Sequence, residues 1–131
     1  MIEENLTEYL LTKSDITDLI VARIYPNILP QDPTFPSITY NRVSGRRVLK
    51  LNPGRSGLAV ARFHINCWAE TYSAVKALAE EVRIALQGYQ GVLSDGVSAQ
   101  AVHFYGDWDQ YESETHEYRV IMDFEIWHTE S

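Results

Sequence analysis

The chain has 131 residues, 45% of them apolar by type, and a formal net charge of −7. That length suits a single domain, 1–131, which buries roughly two-thirds of the surface its unfolded chain exposes and needs no covalent staples. No apolar run approaches the ~20 residues of a membrane span, which argues against a membrane partner, and one cysteine, Cys67, excludes an internal disulfide.

The acidic start, Met1-Ile-Glu-Glu-Asn-Leu6, lacks the basic opening of a signal peptide, so the chain is expected to be made and kept in a cytosol. The charge is unevenly distributed. From Pro33 to Ala69 there is no Asp or Glu, while Arg42, Arg46, Arg47, Lys50, Arg55 and Arg62 give that window +6; the remainder carries −13. Such segregation places a basic and an acidic surface on one small body. Nucleic acid could meet the basic surface, and so could the acidic surface of a second copy.

In chain order, Glu3–Thr12 patterns as a short helix with Leu6, Tyr9 and Leu10 inward. Ser14 is a candidate cap for a second short helix through Ile20, with Asp15 and Asp18 near its start complementing the helix dipole. Val21–Tyr25 turns β-rich. Pro26, Pro30, Pro33 and Pro36 then define an extended connection. Ser37–Val43 reads as a strand, Ser44-Gly45-Arg46-Arg47 as a turn, Val48–Leu51 as resumed strand, and Asn52–Gly57 as another turn or loop. These make a basic arm with a Gly-Arg tip, expected to be mobile in the free protein.

Leu58–Ala69 is a long strand. Ala59, Ala61, Phe63, Ile65, Cys67 and Ala69 fall on one wholly apolar face; Leu58, Val60, Arg62, His64, Asn66 and Trp68 fall on a mixed one. Thr71–Gln87 is an amphipathic helix with Val75, Leu78, Ala79, Val82, Ala85, Leu86 and Tyr89 on its apolar stripe. Thr71 or Ser73 can cap it, and Gly88 suits its end. Gln90–Gly96 reads as a connector and Val97–Tyr105 as a strand. Gly106–His116 reads as an acidic loop carrying Trp108 and Tyr111. Glu117–His128 reads as a final strand with Tyr118, Val120, Met122, Phe124 and Ile126 inward and Glu117, Arg119, Asp123 and Glu125 outward. Short polar turns between strands favour antiparallel pairing, so the fold class is α+β, mostly antiparallel. The pairing of the Leu58 and Val97 strands, separated by a helix, stays open.

Several stretches together resemble one family. Val21-Ala-Arg-Ile-Tyr-Pro26, Pro30-Gln-Asp32, Phe35-Pro-Ser-Ile-Thr-Tyr40, Val43-Ser-Gly45, Ile65-Asn-Cys-Trp-Ala69 and Tyr72-Ser-Ala-Val-Lys-Ala-Leu78 are similar to the tail completion, or tail-to-head joining, proteins of long-tailed bacteriophages. The likeness runs from about residue 5 to 126 in the family's order. It implies a tail-terminator-like fold, an antiparallel sheet with helices on one face, and no catalysis or cofactor. It also implies a ring of six subunits in the virion that completes the tail tube and docks it to the head connector protein, with assembly in the host cytoplasm.

Read residue by residue, His64 and Cys67 stand three apart on a strand and so point to opposite faces, which argues against a shared metal. His103, His116 and His128 are scattered, without the close pairs of a zinc site. Glu80-Glu81 and the Glu112/Glu114 pair read as solvated carboxylates. There is no phosphate-binding glycine motif and no nucleophile elbow. The interface candidates are Arg46, Arg47, Lys50 and Arg55 on the arm and Trp108 and Tyr111 in the acidic loop. The arm could instead be a plain solvated hairpin. It could dock on the acidic surface of a neighbouring subunit or connector, where charge sets register and encounter rate, or touch DNA phosphates at the neck. The alternative for the whole chain is a small nucleic-acid-binding module using the basic 42–62 stretch, although that stretch lacks stacking aromatics in the arm itself. A small hydrolase is a third and weaker reading.

Overall fold

The computed structural model describes residues 1–49 and 57–129, except for the side chains of residues 48 and 49. Three helices, α1 (Ile2–Leu11), α2 (Ser14–Ile20) and α3 (Tyr72–Leu86), pack against a six-stranded sheet. The strands are β1 (Ile24–Pro26), β2 (Ser37–Leu49), β3 (Leu58–Ala69), β4 (Gly91–Ser94), β5 (Val97–Glu112) and β6 (Glu117–Thr129), in the spatial order β1-β2-β3-β6-β5-β4. Every pairing is antiparallel except β1 with β2. The α+β, mostly antiparallel reading holds.

The alternation of β3 decides the layering. Ala59, Ala61, Phe63, Ile65, Cys67 and Ala69 are buried. From Ala61 onward they join Val120, Met122, Phe124 and Ile126 of β6 in one core with the α3 stripe of Val75, Leu78, Ala79, Val82 and Leu86. Leu6, Leu10, Ile16 and Ile20 extend that core under α1 and α2. Each large aliphatic or aromatic side chain fully removed from water contributes on the order of 1.5–3 kcal/mol. Polar ties then fix the angles between elements. Thr71 caps α3, its Oγ1 accepting from the Ala74 N–H at 3.2 Å. Tyr9 Oη donates to the Ala85 carbonyl at 2.7 Å and joins α1 to α3. Asn5 Nδ2 donates to Ser94 Oγ at 2.8 Å and joins α1 to β4.

The open pairing question resolves through β6. It lies between β3 and β5 and is antiparallel to both, so β3 and β5 run in the same direction without touching as neighbours.

Several sequence expectations need correction. Ser44–Arg47 is not a turn: Gly45, Arg46 and Arg47 pair with Ala61, Val60 and Ala59, because the long β3 template outweighs one glycine. Gly106–His116 is not a loop. β5 continues to Glu112 along β6, and the reversal is confined to residues 113–116. Gln90–Gly96 contains β4, which turns into β5 through Asp95-Gly96, both at positive φ (48° and 77°), as a two-residue primed turn requires. The β-rich Val21–Tyr25 yields strand only from Ile24. Ser14 is the first helical residue of α2, with Lys13 at the cap position and no side-chain cap. Glu117 lies on the outward face with Arg119 and Asp123, as expected, but is buried there.

Candidate interaction surfaces

The helices cover one face of the sheet. On the other, open face β3 places Arg62, His64 and Trp68, and β6 and β5 add Asp123, Glu125, Trp127, Tyr105 and Trp108. Arg62 is the hub. Its Nε and Nη2 donate to the two carboxylate oxygens of Asp123 at 3.0 and 2.7 Å, a bidentate pair. Its guanidinium lies 4.7 Å from the Tyr105 ring centroid. Tyr105 Oη donates to Glu125 Oε1 at 3.0 Å, and Trp127 Nε1 donates to the same oxygen at 2.9 Å. The Asp123 hydrogen bonds hold the Arg62 guanidinium above its usual range, and the bond to Glu125 raises the Tyr105 phenol. His64 meets Trp108 edge to face at 5.5 Å. Arg119 lies 4.9 Å from the Trp68 ring and pairs with Glu112 at 3.2 Å. Trp68 Nε1 donates to Thr39 Oγ1 at 3.0 Å. The result is a row of linked ring and charge contacts on which Tyr105 (56%) and Trp108 (46%) remain exposed.

The predicted interface residues separate in space. Arg46 lies on the open face opposite Val60, and Arg47 on the helix face opposite Ala59; both are exposed. Arg42, Arg46, Arg47 and His128 border a cleft of about 360 Å³ at that end of the sheet. Lys50 and Arg55 lie outside the described residues, as does the expectation of a mobile tip. Trp108 and Tyr111 do not form one patch. Trp108 is on the open face opposite Ile121, whereas Tyr111 is on the helix face opposite Tyr118, with ring centroids 4.8 Å apart. The hub residues Arg62, Tyr105, Asp123 and Glu125 were not singled out from sequence. The shared parity of Arg62, His64 and Trp68 was the available signal; their partners needed the β3–β6–β5 register.

The charge segregation has a structural axis. β3 pairs Leu58 with Thr129 at one end and Ala69 with Tyr118 at the other, so the β2–β3 and β5–β6 reversals lie at opposite ends of the sheet. Arg46 and Arg47 flank the first. Asp107, Asp109, Glu112, Glu114 and Glu117 cluster toward the second. Lys76 and Arg119 partly offset the acidic end: Lys76 Nζ donates to Asp109 at 3.1 Å, which with the Tyr72 hydroxyl holds that carboxyl below its usual range.

Among the described residues, no group of three or more His, Cys, Asp or Glu sits close enough to hold a metal. None of their helices is long and apolar enough to cross a membrane. Cys67 is fully buried, and burial pushes its thiol well above the usual range.

No curated protein sequence matches the chain. A chain from the "Virion of native gene transfer agent (GTA) particle" has a similar fold, with a TM-score of 0.70 over 95% of this chain and 92% of that one, at 18% identity. The profile of the family described as tail completion protein gp17 matches residues 4–129. With nearly its whole length matched, the chain belongs to the tail completion protein gp17 family, whose members are structural proteins of the phage tail.

Proposed function

We propose that the protein completes the phage tail and joins it to the head at the neck, acting as one subunit of a closed ring, a hexamer, between the tail tube and the head connector. The carrying observation is the separation of basic and acidic ends along one sheet. Identical copies related by rotation can then meet unlike surface to unlike surface, and such heterologous contacts close into a ring. Family membership supports the placement in the tail. On this reading the protein acts in the virion and assembles in the host cytoplasm.

The test is reversal of Arg46 and Arg47 to Glu in the phage copy. Both are exposed, so the fold and thermal midpoint should change little. Lysates should then contain unattached heads and tails by electron microscopy. Normally joined virions from the variant would refute the role given to this end of the sheet.

The basic cleft favours one second reading, contact with DNA phosphates by Arg42, Arg46 and Arg47. Filter binding across salt separates the two. Phosphate contacts give a steep fall of affinity with ionic strength, roughly one counterion released per contact, whereas a pure self-assembly protein retains no DNA at any salt.

A further inference from the structure

Both edges of the sheet are only half covered. β1 pairs with β2 only from Ile38 to Tyr40, and the Asn27 N–H adds one bond to the Tyr40 carbonyl at 2.8 Å. β4 pairs with β5 only through Ala99, and the Gly88 N–H caps the Val102 carbonyl at 3.1 Å. Among the described residues, no backbone bond from another element reaches the outer side of 41–46 of β2 or 103–112 of β5. Long bare edges are templates for pairing with another chain and are normally blunted by charge, proline or bulges. Here proline and short strands protect the covered halves, while the bare halves carry charge and ladder irregularities, and charge of one sign bars a like edge but not one of opposite sign. The bare halves are opposite in charge: 41–49 holds three arginines and no carboxylate, and 103–112 holds three carboxylates and no lysine or arginine.

We propose that the bare edge of β2 in one copy pairs with the bare edge of β5 in the next, so that the ring is one continuous β-sheet. This rests on the ring reading above and names its contact. The directions agree. β2 runs opposite to β5, so copies repeated by rotation about an axis along the strands bring the two edges together antiparallel. The faces select a register. Ser44 and Arg46 lie on the open face and Gly45 and Arg47 on the helix face; Trp108 and Gln110 lie on the open face and Asp107 and Asp109 on the helix face. Pairing Ser44 with Gln110, Gly45 with Asp109, Arg46 with Trp108 and Arg47 with Asp107 matches every face. It sets a guanidinium on an exposed indole and an arginine on a carboxylate, and its small residue faces the Asp109 already engaged by Lys76. These four positions lie between the ladder irregularities on β2 and beyond the one at Tyr105 on β5. A shift of two residues one way sets Arg47 against Tyr105 at the β5 irregularity, and the other way against Asp109, which Lys76 already engages. Ser44 is level with His103 through the ladders, so pairing it with Gln110 offsets neighbouring copies along the strands and inclines the strands to the ring axis, as in any closed sheet.

The experiment is oxidative cross-linking of the purified full chain carrying Ser44→Cys and Gln110→Cys. Cys67 is buried and leaves the new thiols as the reactive ones. The expected result is a disulfide-linked ladder of multimers on a non-reducing gel. Each single variant should run as a monomer on that gel, as should Ile84→Cys with Gln110→Cys, since Ile84 is exposed on α3 beside Tyr9 and Ile16 of α1 and α2. A ladder of equal strength in the Ile84 control overturns the proposal. So does a closed oligomer in sedimentation with no ladder for the 44/110 pair, which leaves the ring itself standing. A monomer at the highest concentration reached, with no ladder, overturns the edge contact, while the ring in the virion is judged separately by the Arg46 and Arg47 reversal above.

Discussion

Cys67 shows how strongly position governs chemistry at the scale of one residue. It sits mid-strand on the helix face, with no exposed surface, among Ile65, Val120 and the α3 stripe. Loss of water from the thiolate raises its pKa, so the nucleophilic form is scarce at neutral pH. The native protein should therefore resist a thiol reagent such as dithionitrobenzoate and react only on denaturation; fast labelling of the folded chain would contradict this placement. Its environment was legible from alternation alone, because a run of apolar residues at every second position has few ways to avoid a core. Arg62 was not legible in the same way. Its parity was plain, but its hub role depends on Asp123 and Tyr105, brought beside it by pairings distant in sequence.

At the scale of elements, α3 is fastened to β5 by Lys76, Tyr72 and Asp109. Asp109 is an exposed carboxyl held below its ordinary value by the Lys76 and Tyr72 hydrogen bonds. As pH falls, the unfolded chain takes up this proton before the folded one does. The stabilisation is thus complete above the ordinary aspartate range and is lost as pH drops through the lower folded value. Asp109→Asn should reduce stability slightly near neutral pH and flatten the acid limb of the denaturation curve, as read by urea midpoints at several pH values. An unchanged acid limb would mean the contact is too solvated to matter. The elements themselves were unequally readable. β3 and α3 emerged from periodicity to within a residue or two, because each has a long amphipathic pattern. The outer half of β5 did not, because a polar edge strand has no apolar period to announce it; the ladder with β6 makes it a strand. β4 carried a usable signal in Asp95-Gly96, which is the sequence of a two-residue hairpin turn.

Over the whole molecule, the basic and acidic ends make association sensitive to ionic strength. Exposed charges are screened within about 8 Å at physiological salt and about 3 Å at 1 M. If the ends guide assembly, self-association measured by sedimentation should weaken as salt rises, chiefly through slower encounter. Association that is insensitive to salt would assign the contact to backbone pairing and apolar contact rather than charge.

The amino-acid sequence by itself determined the α+β class, the β3–α3 core, the segregation of charge and, through the quoted stretches, the likeness to a tail completion family. These are properties of local period and composition, and they do not depend on which strand lies beside which. Only the tertiary structure decided that β6 separates β3 from β5, that Trp108 and Tyr111 look out from opposite faces, and that two oppositely charged edges are left unpaired by the other described residues. Register and strand order arise from long-range hydrogen-bonded pairing, and a single shift of one residue reverses every face; no window of sequence carries that information.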